Sequence, residues 1–144
     1  MNYGLLAWVN ACHFLLDKLL LLQKKALRII CHTTFRAHTD PLFLDNKIMK
    51  IKDLYLFQLG QFMFNYKKDA LPAIFKTMFS KNHLFHNYPT RRSDEFHLPL
   101  LRTVLAQNTF IYDGPKFWNS LCVNIQNAPS LYSFKKRLKA HLLE

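Results

Sequence analysis

The sequence predicts a mainly α fold: a compact helical bundle with a small irregular β-hairpin or loop insertion around residues 80–112. Three observations carry this. Long stretches repeat apolar residues every three to four positions, Asp-Pro and Ser signals mark helix starts, and the helical period vanishes only between Ser80 and Tyr112. A chain of 144 residues fits one domain spanning its full length. Residues 1–79 form a helical segment, residues 80–112 a loop/β segment, and residues 113–144 the C-terminal helices.

The first element is a short helix at Tyr3–Val9, broken near Asn10. The clearest helix follows, His13 to His32. Leu15, Leu19, Leu22, Ala26 and Ile29 form its stripe, widened by Leu16, Leu20, Leu27 and Ile30. Lys18, Lys24, Lys25 and Arg28 fall largely outside that stripe. Asp40-Pro41 reads as a capping acid followed by a helix-starting Pro, opening a short helix over Pro41–Asn46. Lys52-Asp53 opens a second long helix with Tyr55, Leu59, Phe62 and Tyr66 on one face and Gly60 inside it. Pro72 starts a short helix through Phe79.

His83, His86, Asn87, Pro89, Arg91, Arg92 and Ser93 make a polar loop. Phe96–Leu101 and Thr109–Tyr112 are short apolar runs, read as a small hairpin. Gly114-Pro115 starts the next helix, with Phe117, Trp118 and Leu121 buried. Ser130 caps the last helix, where Phe134, Leu138 and Leu142 form a stripe beside Lys135, Lys136, Arg137 and Lys139.

Composition narrows the function classes. Half of the residues are hydrophobic and 15 % are aromatic, which is enough apolar surface to offset the entropy of ordering the chain and excludes intrinsic disorder. Lys plus Arg number 20 against 9 Asp plus Glu, a formal charge of +11. With a pI near 9.8, that balance points to a polyanionic partner, nucleic acid before an anionic membrane. Cys12, Cys31 and Cys122 are odd in number and widely spaced, so a reducing, intracellular setting (cytoplasmic or nuclear) is expected. The apolar N-terminus lacks a basic leader, and Asn10, His13, Asp17 and Lys18 interrupt it, so neither a signal peptide nor a membrane span is expected.

Catalytic chemistry finds little support. Cys12-His13, Cys31-His32, His38, His83 and His86 supply metal-ligand types without the paired spacing that closes a tetrahedral zinc site, so no metal and no cofactor are expected. There is no GxSxG elbow and no cysteine in a nucleophile context. Gly4, Gly60 and Gly114 stand alone, so there is no phosphate-cradling loop. Asp94-Glu95 reads as a solvated pair. Basic clusters recur instead: Lys18, Lys24, Lys25 and Arg28 on the first helix, Arg91, Arg92 and Arg102 in the loop, and the last helix. Tyr88 beside Arg91 and Arg92 offers a stacking surface for a base.

Several strings, taken in order, carry a resemblance. Tyr3-Gly4-Leu5-Leu6-Ala7-Trp8 precedes Leu21-Leu22-Gln23-Lys24-Lys25-Ala26-Leu27-Arg28-Ile29-Ile30. Thr39-Asp40-Pro41-Leu42-Phe43, Asp53-Leu54-Tyr55, Gln58 and Tyr88-Pro89-Thr90-Arg91 follow. Gly114-Pro115-Lys116-Phe117-Trp118-Asn119-Ser120-Leu121, Ser133-Phe134-Lys135-Lys136 and Leu138-Lys139 complete the set. Together they resemble the stretch after the polymerase palm of non-LTR (LINE-type, jockey/CR1-like) retrotransposon reverse transcriptases, across essentially the whole chain. Val9 stands where that family often has Gly, and Cys122 where a Pro usually follows the Trp-Asn-x-Leu string.

The resemblance implies a polymerase thumb, or the region just after it, plus the C-terminal extension. It begins mid-element, so Met1 is expected to start inside a longer element-derived reading frame. The sequence contains no Tyr-x-Asp-Asp string to hold polymerase metals, no apurinic-type endonuclease and no zinc knuckle. The implied role is non-catalytic and sequence-independent: weak binding of RNA or an RNA–DNA hybrid through phosphates. Lys24, Lys25, Arg28, Arg91 and Arg92 are the expected contacts, while Trp118, Leu121 and Phe134 are expected in the core. The missing palm domain is a further implied partner. The alternative is a structural or protein-interaction remnant with no nucleic-acid binding of its own.

Overall fold

A computed structural model describes residues 4–8, 13–85 and 91–143. It is mainly helical, and the described residues contain no sheet. Among the described residues eight α-helices follow in order: α1 (Leu5–Trp8), α2 (His13–Ile30), α3 (Asp40–Asp45), α4 (Ile51–Lys67), α5 (Val104–Gln107), α6 (Phe110–Ser120), α7 (Val123–Gln126) and α8 (Leu131–Leu143). The chain divides into two compact units. Residues 1–58 with 139–144 form the first and 59–138 the second, so the division falls inside α4 and α8. The expected break at Asn10 lies outside the described residues.

Three helices end the same way, and none uses glycine. After α2, Thr33 N donates to Arg28 O (3.0 Å) and His32 N to Ile29 O (3.2 Å), with His32 at φ 49°. After α3, Ile48 N donates to Phe43 O (2.9 Å) with Lys47 at φ 52°. After α4, Ala70 N donates to Asn65 O (2.9 Å) with Asp69 at φ 58°. These are Schellman closures, in which a left-handed residue turns the chain so that the orphan carbonyls of the last turn are satisfied.

The fold buries only part of the broad stripe expected on α2, at two of its widening positions. Leu16 and Leu27 are buried, at 4 % and 2 % exposure, whereas Leu22 and Ile29 are 56 % and 74 % exposed. The side chain of Leu15 lies outside the described set. Asp40 is not the cap of α3. Thr39 occupies that position, with helical angles and no side-chain cap bond. Asp40 is instead the first helical residue, where its carboxylate complements the helix dipole and pairs with Lys50 at 2.7 Å.

The second unit is built around aromatic rings. Phe134 stacks on Phe64 (4.6 Å between centroids) and on Trp118 (5.8 Å), while Phe96 meets Trp118 edge-on at 6.5 Å. Trp118, Leu121 and Phe134 are buried, as the sequence suggested. On α4 the buried residues here are Leu59, Met63 and Phe64, with Phe62 and Tyr66 half-buried. Gly60 has a packing role. A Cβ there would lie 2.6 Å from Leu138 Cδ2 and 3.3 Å from Phe117 Cε1.

Three elements depart from the sequence reading. The helix expected from Pro72 to Phe79 is a single 3-10 turn, Ala73–Phe75. Beyond it the Tyr66 hydroxyl lies 2.7 Å from Phe79 O and accepts from Phe79 N at 3.2 Å, taking groups a helix would have used. The expected hairpin is absent: one antiparallel bridge joins Lys81 to Phe96. Residues 104–107 are helical because Thr103 Oγ1 accepts from Ala106 N (3.3 Å) and Gln107 Nε2 donates back to Leu101 O (2.8 Å). Finally, α6 begins at Phe110, so Gly114 and Pro115 sit buried inside it rather than at its start. Ser130 caps α8 as expected, its Oγ accepting from Ser133 N at 3.2 Å.

Candidate nucleic-acid interface

The five expected contact residues divide between the units. Lys24, Lys25 and Arg28 belong to the first, and Arg91 and Arg92 to the second. On α2 the spacings 24/28 and 25/28 place the three cations on one helix face. Their environments differ. Lys25 is exposed and Lys24 half-buried. Lys50 beside Asp40 holds that carboxyl below its ordinary value, and Lys24 and His38 add smaller pulls in the same direction. Arg28 has a structural job: its Nε donates to Ala37 O at 3.0 Å, pinning the end of α2 to the segment before α3.

Arg91 and Arg92 are exposed at the start of a turn. The turn is held from both sides. Asn82 N donates to Glu95 O (3.0 Å), Asn82 Nδ2 to Arg92 O (2.9 Å) and His83 N to Ser93 O (3.1 Å). Asn119 brackets Phe96, accepting from its N–H at 3.2 Å and donating to its carbonyl at 2.8 Å. The guanidinium of Arg92 approaches Glu95 at 3.7 Å. Tyr88, the expected stacking partner, lies outside the described residues.

A second pair of cations meets where the sequence offered no signal. Lys67 near the end of α4 and Lys81 at the bridge both line a cavity of about 570 Å³, with Trp118, Asn119, Gln126 and Asp94 among its walls. Lys67 Nζ donates to Asn127 Oδ1 (3.2 Å) and lies 5.7 Å from the centroid of the Trp118 ring. Burial pushes its ammonium below the ordinary lysine value, and Lys68 and Lys81 push the same way. The pair lies fourteen positions apart along the chain, and an irregular segment intervenes, so no periodicity brings them together.

The described residues carry more cations than acids. Four ion pairs join described residues: Lys50–Asp40, Lys52–Asp17, Lys76–Asp69 and Arg92–Glu95. Residues 59–138 alone hold eleven Lys and Arg against four Asp and Glu. Among the described residues no three His, Cys, Asp or Glu come together as a metal site. Nor is any helix there long and apolar enough to cross a membrane. Comparison with protein-family models, curated proteins and solved structures finds no match for this chain.

Proposed function

We propose that this chain binds RNA or an RNA–DNA hybrid through phosphates, without reading sequence, as a non-catalytic piece resembling the thumb and C-terminal extension of a non-LTR retrotransposon reverse transcriptase. The observation that carries the reading is the cation excess, with Lys25, Arg91 and Arg92 held on exposed positions. Phosphates displace counterions from such groups and accept charge-assisted hydrogen bonds from them. The anchored turn under Arg91 and Arg92 reduces the ordering cost of each contact. Arg28 is half-buried and its Nε is engaged by Ala37 O, so replacing it would remove a contact within the fold along with a charge.

The test is a fluorescence-anisotropy titration of a labelled RNA–DNA hybrid. Changing Lys25, Arg91 and Arg92 together to Gln should weaken binding at fixed salt while leaving the melting temperature in place, because all three side chains are exposed. Unchanged affinity in the triple variant would overturn the assignment of these residues.

A further inference from the structure

Helix α2 has a second apolar face that the described residues leave partly open. Leu16 and Leu27 lie on the buried face. Leu19, Leu22, Ala26 and Ile29 lie on the other, at successive steps of three, four and three residues, the spacing of a helix-packing seam. Leu22 and Ile29 stand open. Beside this seam runs an apolar groove of about 510 Å³, walled on its far side by Ile48, Met49, Ile51 and Leu54. Its floor is already satisfied. Gln23 Nε2 donates to Met49 O at 2.8 Å, and Gln23 Oε1 accepts from Ile51 N at 3.1 Å. The slot therefore offers an occupant apolar contact and few polar partners.

Charge selects the occupant. Lys18 and Lys25 immediately precede Leu19 and Ala26, so they run beside the seam, and exposed Lys47 precedes Ile48 on the opposite wall. Of the acids of the same unit, Asp17 and Asp40 pair with Lys52 and Lys50, exposed Asp45 lies on α3, and half-buried Asp53 precedes the wall residue Leu54, so cations outnumber acids beside the seam. We propose that this groove docks an amphipathic helix of a partner protein whose apolar seam is flanked by acidic residues. A second copy of this chain is disfavoured, because it brings Lys18 and Lys25 beside the same seam and a charge of +11. Nucleic acid has no apolar stripe to lay in the groove. The mode is helix-in-groove, with the seam giving affinity and the flanking charges giving specificity.

The probes are two labelled helical peptides, each 18 residues to match α2. They share one Leu seam and differ only in flanking residues, Glu in one and Lys in the other. The Glu peptide should bind, and the Lys peptide should bind at least about tenfold more weakly. Leu22→Ser should weaken the Glu peptide by about tenfold, and Ile48→Ser should weaken it too. Leu22→Ser should melt like wild type because that side chain is 56 % exposed, whereas Ile48→Ser, at a side chain 36 % exposed, should lose some stability, so its titration is run well below its own melting temperature. Hybrid binding should be unchanged in both variants, because neither Leu22 nor Ile48 is a phosphate contact, although Lys25 borders both sites. No binding of the Glu peptide, or equal binding of the two peptides, would overturn the proposal. So would a dimer of the free protein that Leu22→Ser dissolves, which would make a second copy the occupant.

Discussion

Gly60→Ala sets two physical effects against each other inside α4. In a solvent-exposed helix the change would stabilise by about 1 kcal/mol, because Ala restricts the unfolded chain and favours the helix. At Gly60 the added Cβ lies 2.6 Å from Leu138 Cδ2, closer than real Cβ atoms approach. That methyl belongs to a side chain with no exposure, and Phe117 and Phe134 crowd the same point at 3.3 and 3.5 Å. Moving Leu138 alone therefore leaves a second tight contact. Overpacking a filled core costs typically about 1–3 kcal/mol, and a site with three buried or half-buried neighbours belongs at the upper end. The net is a loss of about 1–2 kcal/mol, which lowers the melting temperature by roughly 2–8 °C at this chain length. Thermal denaturation followed by circular dichroism at 222 nm reads it. A variant that melts above wild type would mean that propensity wins, and would refute the close packing of α4 against Phe117 and Leu138.

Trp118→Ala should cost about 3–5 kcal/mol, since the indole is 4 % exposed and stacked on Phe134, and chemical denaturation will show it as a collapsed midpoint or insoluble protein. Asp53→Asn tests the acid side. Burial raises the Asp53 pKa above its ordinary value despite Lys50 nearby, so the folded state holds that proton more tightly than the unfolded one. Its ionised form therefore costs stability at neutral pH, and the cost disappears as pH falls through the raised value to below the unfolded one. The variant should melt above wild type at about pH 7 and lose that margin by about pH 3, and a margin independent of pH would contradict the assignment.

The mainly α architecture was legible because helical periodicity and cap residues are local. Ser130 and the buried Trp118, Leu121 and Phe134 follow from short-range pattern alone. Helix ends were less legible, because His32, Lys47 and Asp69 take left-handed angles that sequences usually mark with Gly or Asn. Gly114-Pro115 misled for a related reason. Pro is favoured at a helix start, yet here it sits in the middle of α6, which begins after Thr109 with no side-chain cap bond to mark it. The broad stripe on α2 included the buried Leu16 and Leu27 as its widening residues, but periodicity cannot tell which part of so wide an apolar surface the fold covers, and Leu22 and Ile29 stand open. Of the five expected contact residues, Lys25, Arg91 and Arg92 are exposed. The bond from Arg28 to Ala37 and the meeting of Lys67 with Lys81 depend on tertiary geometry that spacing does not encode.

The central claim, binding through phosphates without sequence readout, is tested most directly by the salt dependence of hybrid affinity. Engagement of about four to six phosphates predicts a log–log slope of roughly −4 to −5, the same for hybrids of unrelated sequence. In the Lys25, Arg91 and Arg92 triple Gln variant the slope should become shallower by about two to three units. A slope near zero in wild type, or a strong preference for one sequence, would contradict the account.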